Sequence, residues 1–429
     1  MANRWIIGLA SGSSGAGVEA TLLEIEGAGL DLQARLVHTL HQPLARDLRQ
    51  LLYRIDGPAI IPPGPVEEDE SREGLDKARG PSTKEVKQLS LLHRLLGETF
   101  AAAARLVADR ASFSLQNVQC LGCPGHTVWH DPEGRFPSTL ALGMAAVVAE
   151  RTGVTTVSDF RSRDLAAGGQ GAPVSALIDY LLFRHPEENR IILHLGGMAR
   201  VVFLPAEGRV QDVLGFEAGP CNHLLDGLIA QMTGSREMFD AGGKHAVQGR
   251  CIESLLEQWL GLAYLKRRPP KSLPRHGLAE DLILQALHLA REGQCQLHDL
   301  VCTATHFVAR SISQSCQRFL RVSRAPCRVL LSGGGTRNGF LWRLLEQQFA
   351  PLPLSRTSGL AAEARKSVSA GILAALTVDG VPASLPSVTG AQGARLLGSI
   401  TPGSSANWAR CLAWMAAQTP PPAELIDED

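Results

Sequence analysis

Two stretches of this chain open in the same way, and that repetition constrains its fold more than any other feature. Trp5 to Ala10 is an apolar run that ends in Ser11-Gly12-Ser13-Ser14-Gly15-Ala16-Gly17 and is followed at once by a second run, Val18 to Ile25. After a polar break at His185-Pro186-Glu187-Glu188-Asn189 the pattern returns: Arg190 to Leu195, then Gly196-Gly197, then Ala199 to Leu204. Short apolar runs bounded by glycine read as strands joined by tight turns. A chain that begins each half with strand, glycine turn, strand is expected to form two similar α/β domains facing a cleft. At 429 residues it is also too long for one hydrophobic core.

Between these openings helical patterns dominate. Leu40 to Ile55, Val86 to Ala111, Leu140 to Thr152 and Val174 to Phe183 read as helices, and Val118 to Leu121 and Thr155 to Asp159 as strands. Residues 58–85 are rich in proline, acidic residues, serine and glycine, and lack the apolar content to pack, which predicts a mobile loop. In the second half a buried strand, Val329 to Leu331, runs into Ser332-Gly333-Gly334-Gly335, and a helix follows at Phe340 to Phe349.

Charge excludes several classes of partner. Lysine plus arginine equal aspartate plus glutamate at 42 each, and no basic stripe interleaved with aromatics appears, so nucleic acid is not an expected partner. The longest apolar run, Leu140 to Ala149, falls short of the roughly 18 residues a membrane span needs, and the first residues carry no secretory pattern. A cytoplasmic protein is expected. Nine cysteines do not suggest a disulfide framework, and Cys120 and Cys123, although spaced as CxxC, have no second pair or histidine cluster to complete a zinc site.

Three glycine-rich turns follow apolar strands: Ser11 to Gly17, Gly196-Gly197 and Gly333-Gly334-Gly335. Glycine lets a backbone approach a phosphate closely, and successive N–H groups form an anion nest. The turns match neither GxxxxGK[ST] nor GxGxxG, so a P-loop and a dinucleotide fingerprint are both rejected. The densest polar segment runs from Ser158-Asp159-Phe160-Arg161-Ser162-Arg163-Asp164 to Gly168-Gly169-Gln170-Gly171-Ala172-Pro173. From chemistry alone it is either an Arg–Asp surface network or a catalytic loop whose carboxylate takes a proton from an attacking hydroxyl or water. His126 and His130 read as groups that structure the loop after Gly125 rather than as metal ligands.

That segment closely resembles the signature of the anhydro-N-acetylmuramic acid kinases. Ser11 to Ser14, Thr127-Val128-Trp129-His130, Pro137 to Leu140, Ala149 to Gly153, Gly196-Gly197, Gly219-Pro220 with Asn222 and Asp226, Phe239-Asp240, Gly333 to Gly335 with Asn338, and Val388 to Ala391 extend the resemblance along almost the whole chain. It implies the α/β actin-like ATPase fold shared by sugar kinases, Hsp70 and actin, with two similar lobes around a nucleotide cleft. Residues 1–187 would form the N-terminal lobe and 188–385 the C-terminal lobe. Residues 386–429 would return to the first lobe and end in a disordered tail. ATP and Mg2+ would sit in the cleft. Water, activated by an aspartate, would open a 1,6-anhydro amino sugar while its O6 takes the γ-phosphate, a step in peptidoglycan recycling.

The resemblance further implies Asp164 as the catalytic base. It implies nucleotide contacts at Ser11, Gly12, Ser13, Ser14, Gly196, Gly197, Gly219, Gly333, Gly334, Gly335 and Asn338. Sugar contacts would come from His126, Thr127, Arg161, Gly169, Gln170 and Asn222, magnesium would be held by Glu19 or Glu217, and the family tends to form homodimers. The chain departs from the family pattern at several positions. Ala16 and Glu19 stand where the first loop carries aspartates, and Pro124-Gly125-His126-Thr127 stands for His-Gly-Gln-Thr. His194 and Arg200 replace asparagines, Glu217 an aspartate, Cys221 a glycine, Ser367 a glutamate of a late helix, and Leu273-Pro274 a Thr-Gly pair. Two readings remain open at this level: a sugar kinase, on the family's substrate or an altered one, and a catalytically silent relative that binds a ligand or partner.

Overall fold

The computed structural model describes residues 3–12, 15–56, 82–359 and 361–418. Ser13, Ser14, most of the acidic 58–85 stretch and the C-terminal tail lie outside the described residues.

The first sheet contains β1 (Arg4–Ser11), β2 (Gly17–Glu26), β3 (Gln33–Pro43), β4 (Val118–Cys123), β7 (Thr155–Ser158) and β13 (Ser399–Thr401), in the order β13-β7-β4-β1-β2-β3. A separate hairpin, β5 (His126–Asp131) with β6 (Ser138–Leu142), stands between β4 and β7 in the chain. The second sheet contains β8 (Asn189–Leu195), β9 (Met198–Leu204), β10 (Leu214–Pro220), β11 (Cys327–Ser332) and β12 (Leu354–Arg356), in the order β10-β9-β8-β11-β12. Setting the hairpin and β13 aside, both sheets read third, second, first, fourth, fifth. In each, the first three strands are antiparallel and the last two run parallel to the first. The strand–glycine–strand repeat in the sequence is the visible start of this five-strand repeat.

A helix downstream of each sheet's fifth strand packs on the interlobe side. Ala361–Val378 lies across β1, β2 and β4 of the first sheet, and Ala176–Phe183 packs on β9 of the second. Between the sheets these helices build one core from Ile6, Leu23, Val157, Ile192, Val202, Leu330, Val368 and Ile372. The approach is close because glycine permits it: a Cβ on Gly8 would stand 1.7 Å from the Ser367 carbonyl oxygen, and one on Gly122 2.0 Å from that of Ala370. Two sheets of the same order exchanging a helix across a shared core define the α/β actin-like ATPase fold.

Three local expectations are corrected. Leu40 to Pro43 continues β3, in register with β2 as far as Gly17↔Pro43, and the helix begins only at Arg46. Leu140 to Leu142 is strand, paired with β5. Gly143, at φ +128°, breaks the chain before the helix Ala145–Thr152. Residues 82–85 are not loop. Ser82 and Glu85 form a capping box, with the Glu85 amide 3.2 Å from Ser82 Oγ and the Ser82 amide 2.7 Å from Glu85 Oε2, and so start the helix Thr83–Arg110. Cys120 and Cys123 lie three apart on β4, where the two-residue period turns them to opposite faces, and each is buried in a different core.

Candidate active site

A cavity of about 260 Å³ opens between the two sheets. The first half contributes Ser11, the turn Pro124 to Thr127, His130, Asp159 and Arg161. The second half contributes Gly196, Gly197, Arg200, Glu217, His223 and Arg275, and the exchanged helix adds Arg365, Lys366 and Ser369. Of the residues expected from sequence, the structure brings together Ser11, His126, Thr127, Arg161, Gly196, Gly197 and Glu217. The turn after β4 holds His126 so that Nδ1 shares a 2.9 Å hydrogen bond with Ser11 Oγ, which ties the end of β1 to the cavity wall.

Asp164 is not among the lining residues. It is fully buried in the short helix Ser162–Ala166, where Oδ1 accepts from the Thr389 hydroxyl at 2.7 Å and Oδ2 from the Gly171 amide at 2.8 Å. Burial pushes its carboxyl above the ordinary carboxylate range, against the pull of those two bonds and of Arg161. Both oxygens are occupied in holding the Gly168–Gly171 turn against the Val388–Ala391 segment. The carboxylate that reaches the cavity from this loop is Asp159, immediately after β7. Its backbone sits at φ +51°, a left-handed conformation that costs a non-glycine residue roughly 1 kcal/mol or more and that aspartate tolerates best. Among the described residues only Oδ1 is fastened, accepting from Ser162 Oγ at 2.8 Å and from the Ser162 amide at 3.3 Å.

Cations outnumber anions around the cavity: Arg161, Arg200, Arg275, Arg365 and Lys366 face Asp159 and Glu217. Arg365 is anchored, pairing with Asp179 and donating to Ser332 Oγ, which also shares a 3.1 Å bond with His194 Nδ1. Burial brings the Arg200 guanidinium down to about 10, with Arg365 adding to the effect. Lys366 lines the cleft, where loss of solvation and then Arg200, Arg275 and Arg161 push its ammonium down to about 8, against the pull of Glu19. Glu217 accepts from the Leu273 amide at 2.7 Å. Burial raises its pKa, while that bond, Arg161 and Arg200 oppose the rise.

The segment carrying Leu273 and Arg275 is lashed in place by Lys271. This fully buried ammonium lies 4.6 Å from the Tyr264 ring centroid, 4.9 Å from Phe319 and 5.7 Å from Phe216, and donates to the Tyr264 carbonyl at 3.1 Å.

The second and third glycine turns meet beside the cavity. Asn222 donates to the Leu195 carbonyl at 3.3 Å, its amide binds the Gly196 carbonyl at 2.9 Å, and a Cβ on Gly334 or Gly335 would stand 3.5 Å or 3.1 Å from its side chain. Gly333, at φ +91°, would bring a Cβ to 2.5 Å from the Leu195 carbonyl oxygen. Other expected contacts have different positions. Gly219 is interior to β10 against Ser311, and Asn338 caps the helix Gly339–Phe349 through a 3.0 Å bond from the Leu341 amide. A Cβ on Gly169 would meet Asp164, and Gln170 binds Ser272. Gly12 and Glu19 do not line the cavity, and Glu19 binds Ser367 instead. Sequence reading missed Asp159, His130, Arg275, Arg365 and Lys366 as cavity residues.

Among the described residues no group of three or more His, Cys, Asp and Glu side chains comes together as a metal cage. Two cavity carboxylates suit a magnesium ion that arrives on phosphates and keeps its waters, not a protein-built site.

Fold and cavity together define a two-lobed protein of the actin-like class with a cation-lined cleft, the arrangement of sugar kinases. Residues 63–403 match the family model described as anhydro-N-acetylmuramic acid kinase. The anhydro-N-acetylmuramic acid kinase of Gloeobacter violaceus is 37% identical over 405 residues, covering 92% of this chain and 98% of its own. That of Salinibacter ruber is 35% identical, covering 93% and 96%. Among solved structures, a dehydratase activator from Clostridium difficile with bound ADPNP aligns over 87% of this chain and 96% of its own, at 14% identity and a TM-score of 0.40. A ROK family glucokinase from Streptomyces griseus aligns over 86% and 98%, at 12% identity and a TM-score of 0.36. The chain belongs to the anhydro-N-acetylmuramic acid kinase family, and with it to the carbohydrate kinases.

Proposed function

We propose that this protein is an ATP-dependent kinase that opens 1,6-anhydro-N-acetylmuramic acid with water and phosphorylates O6, with Asp159 as the base. The observation that carries the assignment of the base is the placement of Asp159 on the cavity and of Asp164 behind it. Asp159 is fastened at one oxygen only, so the other is positioned to take a proton from water. The water oxygen bonds to the anomeric carbon, the bond from that carbon to O6 breaks, and O6 attacks the γ-phosphorus. The bond from phosphorus to the bridging oxygen breaks and ADP leaves.

Ser11, Gly196-Gly197 and the Gly333–Gly335 turn beside Asn222 would cradle the phosphates. Arg200 and Lys366 would stabilise the charge that spreads over the transferred group. Magnesium carried in on the nucleotide would supply further neutralisation of that charge, with Glu217, the other carboxylate on the cavity, to hold it. His126, Thr127 and Arg161 line the cavity together with Asp159 and would contact the sugar.

The test is sugar-dependent ADP release in heavy-oxygen water, read by mass spectrometry of the sugar phosphate. The expected product carries one solvent oxygen at the anomeric position and phosphate on O6. Release of ADP with no label in the sugar would replace water by another acceptor. Absence of turnover together with absence of nucleotide binding would overturn the kinase reading.

A further inference from the structure

Arg200 belongs to a row of side chains that crosses the second sheet beside its glycine turns. In register it stands opposite His194 of β8 on one side and Glu217 of β10 on the other, and His194 stands opposite Ser332 of β11. Residues directly opposite in a sheet project from the same face, and His194, Arg200 and Glu217 all line the cavity. His194 and Arg200 flank the Gly196-Gly197 turn, and Ser332 immediately precedes Gly333-Gly334-Gly335. The row therefore lies against the part of the cleft where those turns would cradle phosphate.

Three members of the row depart from the family pattern together, with His194 and Arg200 in place of asparagines and Glu217 in place of an aspartate. The carboxylate is engaged elsewhere: Glu217 Oε2 accepts from the Leu273 amide at 2.7 Å, and among the described residues no ion pair joins it to Arg200. Arg200 Nε is buried with no hydrogen-bond partner among those residues. Arg365, by contrast, is answered by Asp179, and Arg161 by the Gly171 carbonyl. Glu19, the carboxylate whose pull Lys366 feels, is committed to Ser367. A cation taken from water without an anion of its own carries a cost that a bound anion offsets.

The other departures shift charge in the same direction. Ala16 and Ser367 each remove a carboxylate, while Arg200 adds a guanidinium. Magnesium helps to hold a nucleotide by offsetting phosphate charge and by bridging phosphate oxygens to protein carboxylates. Here Arg200 and Lys366 supply the first of these, and Glu19 and Glu217 are already bound by donors of the protein. We propose that Arg200 and Lys366 hold a triphosphate chain that carries no divalent cation, so that magnesium is dispensable for nucleotide binding by this chain. The inference rests on the phosphate side of the proposed function but makes a separate demand, because magnesium can serve phosphoryl transfer while adding nothing to affinity.

The experiment is calorimetric titration of the full chain with ATP in excess magnesium, ATP in EDTA, and inorganic tripolyphosphate in EDTA. The two ATP affinities are expected to agree within about threefold, less than one charge-assisted hydrogen bond contributes. Arg200→Asn should weaken ATP by about 10- to 100-fold in EDTA and by much less in magnesium, so that the ratio opens. Arg200→Lys, which keeps a charge, should hold most of the wild-type ratio, and Lys366→Met should open it. Unfolding midpoints near wild type show that the variants are folded, and Lys366→Met reads the ratio if Arg200→Asn does not fold. A wild-type ratio above about threefold, with ATP still bound in magnesium, overturns the inference and leaves the kinase reading in place. A ratio unchanged in the folded variants Arg200→Asn and Lys366→Met overturns it as well. Tripolyphosphate bound in EDTA and lost in Arg200→Asn, with no ATP bound under either condition, sinks the kinase reading and leaves the phosphate site standing. Binding of neither polyanion removes both.

Discussion

Glu19 and Ser367, 348 residues apart, are joined by two hydrogen bonds: Glu19 Oε1 accepts from the Ser367 hydroxyl at 2.7 Å and from its amide at 3.1 Å. The same hydroxyl lies 2.6 Å from Thr21 Oγ1, so strand β2 is fastened to the exchanged helix one residue after Lys366 enters the cleft. These are two of the positions at which the chain departs from the family pattern, and the contact explains the departures together. With serine on the helix, the longer glutamate on the strand reaches it. Ser367→Ala is expected to cost about 1–3 kcal/mol in chemical denaturation, because it removes the hydroxyl donor to a half-buried carboxylate. Ser367→Glu should cost more, and Glu19→Gln in the same chain should restore at least about 1 kcal/mol of that loss. Additive effects in the double mutant would refute the coupling.

Asp159 and Asp164 make opposite predictions. Asp159→Asn should lower kcat by roughly a hundredfold to ten-thousandfold while leaving the unfolding midpoint and ATP binding near wild type. Asp164→Asn keeps an oxygen for one of its two donors and sets an NH2 group against the other, the Thr389 hydroxyl or the Gly171 amide, and should cost about 1–3 kcal/mol of stability. Kinetics and denaturation on the two purified variants separate them. A stable, inactive Asp164→Asn with an active Asp159→Asn would return the base to Asp164.

Why the sequence points to Asp164 is a physical matter. Two aspartates five residues apart flank one short turn, and either fits a carboxylate at a cleft mouth. What sets them apart in the structure is Thr389, which bonds Asp164 from 225 positions away. The strand–glycine–strand openings were legible because Trp5–Ala10 and Arg190–Leu195 are local apolar runs. The exchange of helices between sheets was not, because it is encoded in glycines such as Gly8 and Gly122, whose meaning appears only when another backbone lies against them. Arg200, Arg365 and Lys366 likewise look like ordinary surface cations in one dimension. They become a cavity lining only after β9 and the 361–378 helix meet across the cleft.

Lys366 is expected to give the cleft a pH dependence near neutrality. With its ammonium at about 8, it is charged below that value and neutral above it. If it contacts nucleotide phosphate, as proposed, ATP affinity should hold steady from pH 6 to 7.5 and weaken several-fold as pH rises through about 8. Lys366→Arg, which stays charged, should abolish that limb and keep the affinity, whereas Lys366→Met should show low affinity at every pH. Calorimetry across this range reads all three, and a limb that survives in Lys366→Arg belongs to another group.

Asp226 carries a stability cost beside the glycine turns. It lies one helical turn after Asn222 in the helix Asn222–Thr233, and burial, with Asp240 adding repulsion, raises its carboxyl from 3.8 to about 7. A carboxyl raised on folding favours the protonated form. Its contribution is therefore fully present below about pH 4, declines between about 4 and 7, and is absent at higher pH. Asp226→Asn mimics the protonated group. It should leave stability nearly unchanged at pH 4 and raise it at pH 8 by about 2 kcal/mol, a figure reduced from the full shift because the side chain is partly exposed. Urea denaturation at both values tests this. An equal gain at both would mean that substitution acts through packing, and a loss at pH 8 would mean that the ionised carboxylate is itself bound by a neighbour. The stabilised variant should also bind ATP differently only if Asp226 touches the nucleotide. An unchanged ATP affinity alongside a pH-dependent stability gain would make this carboxylate a structural neighbour of the glycine turns and not a ligand contact.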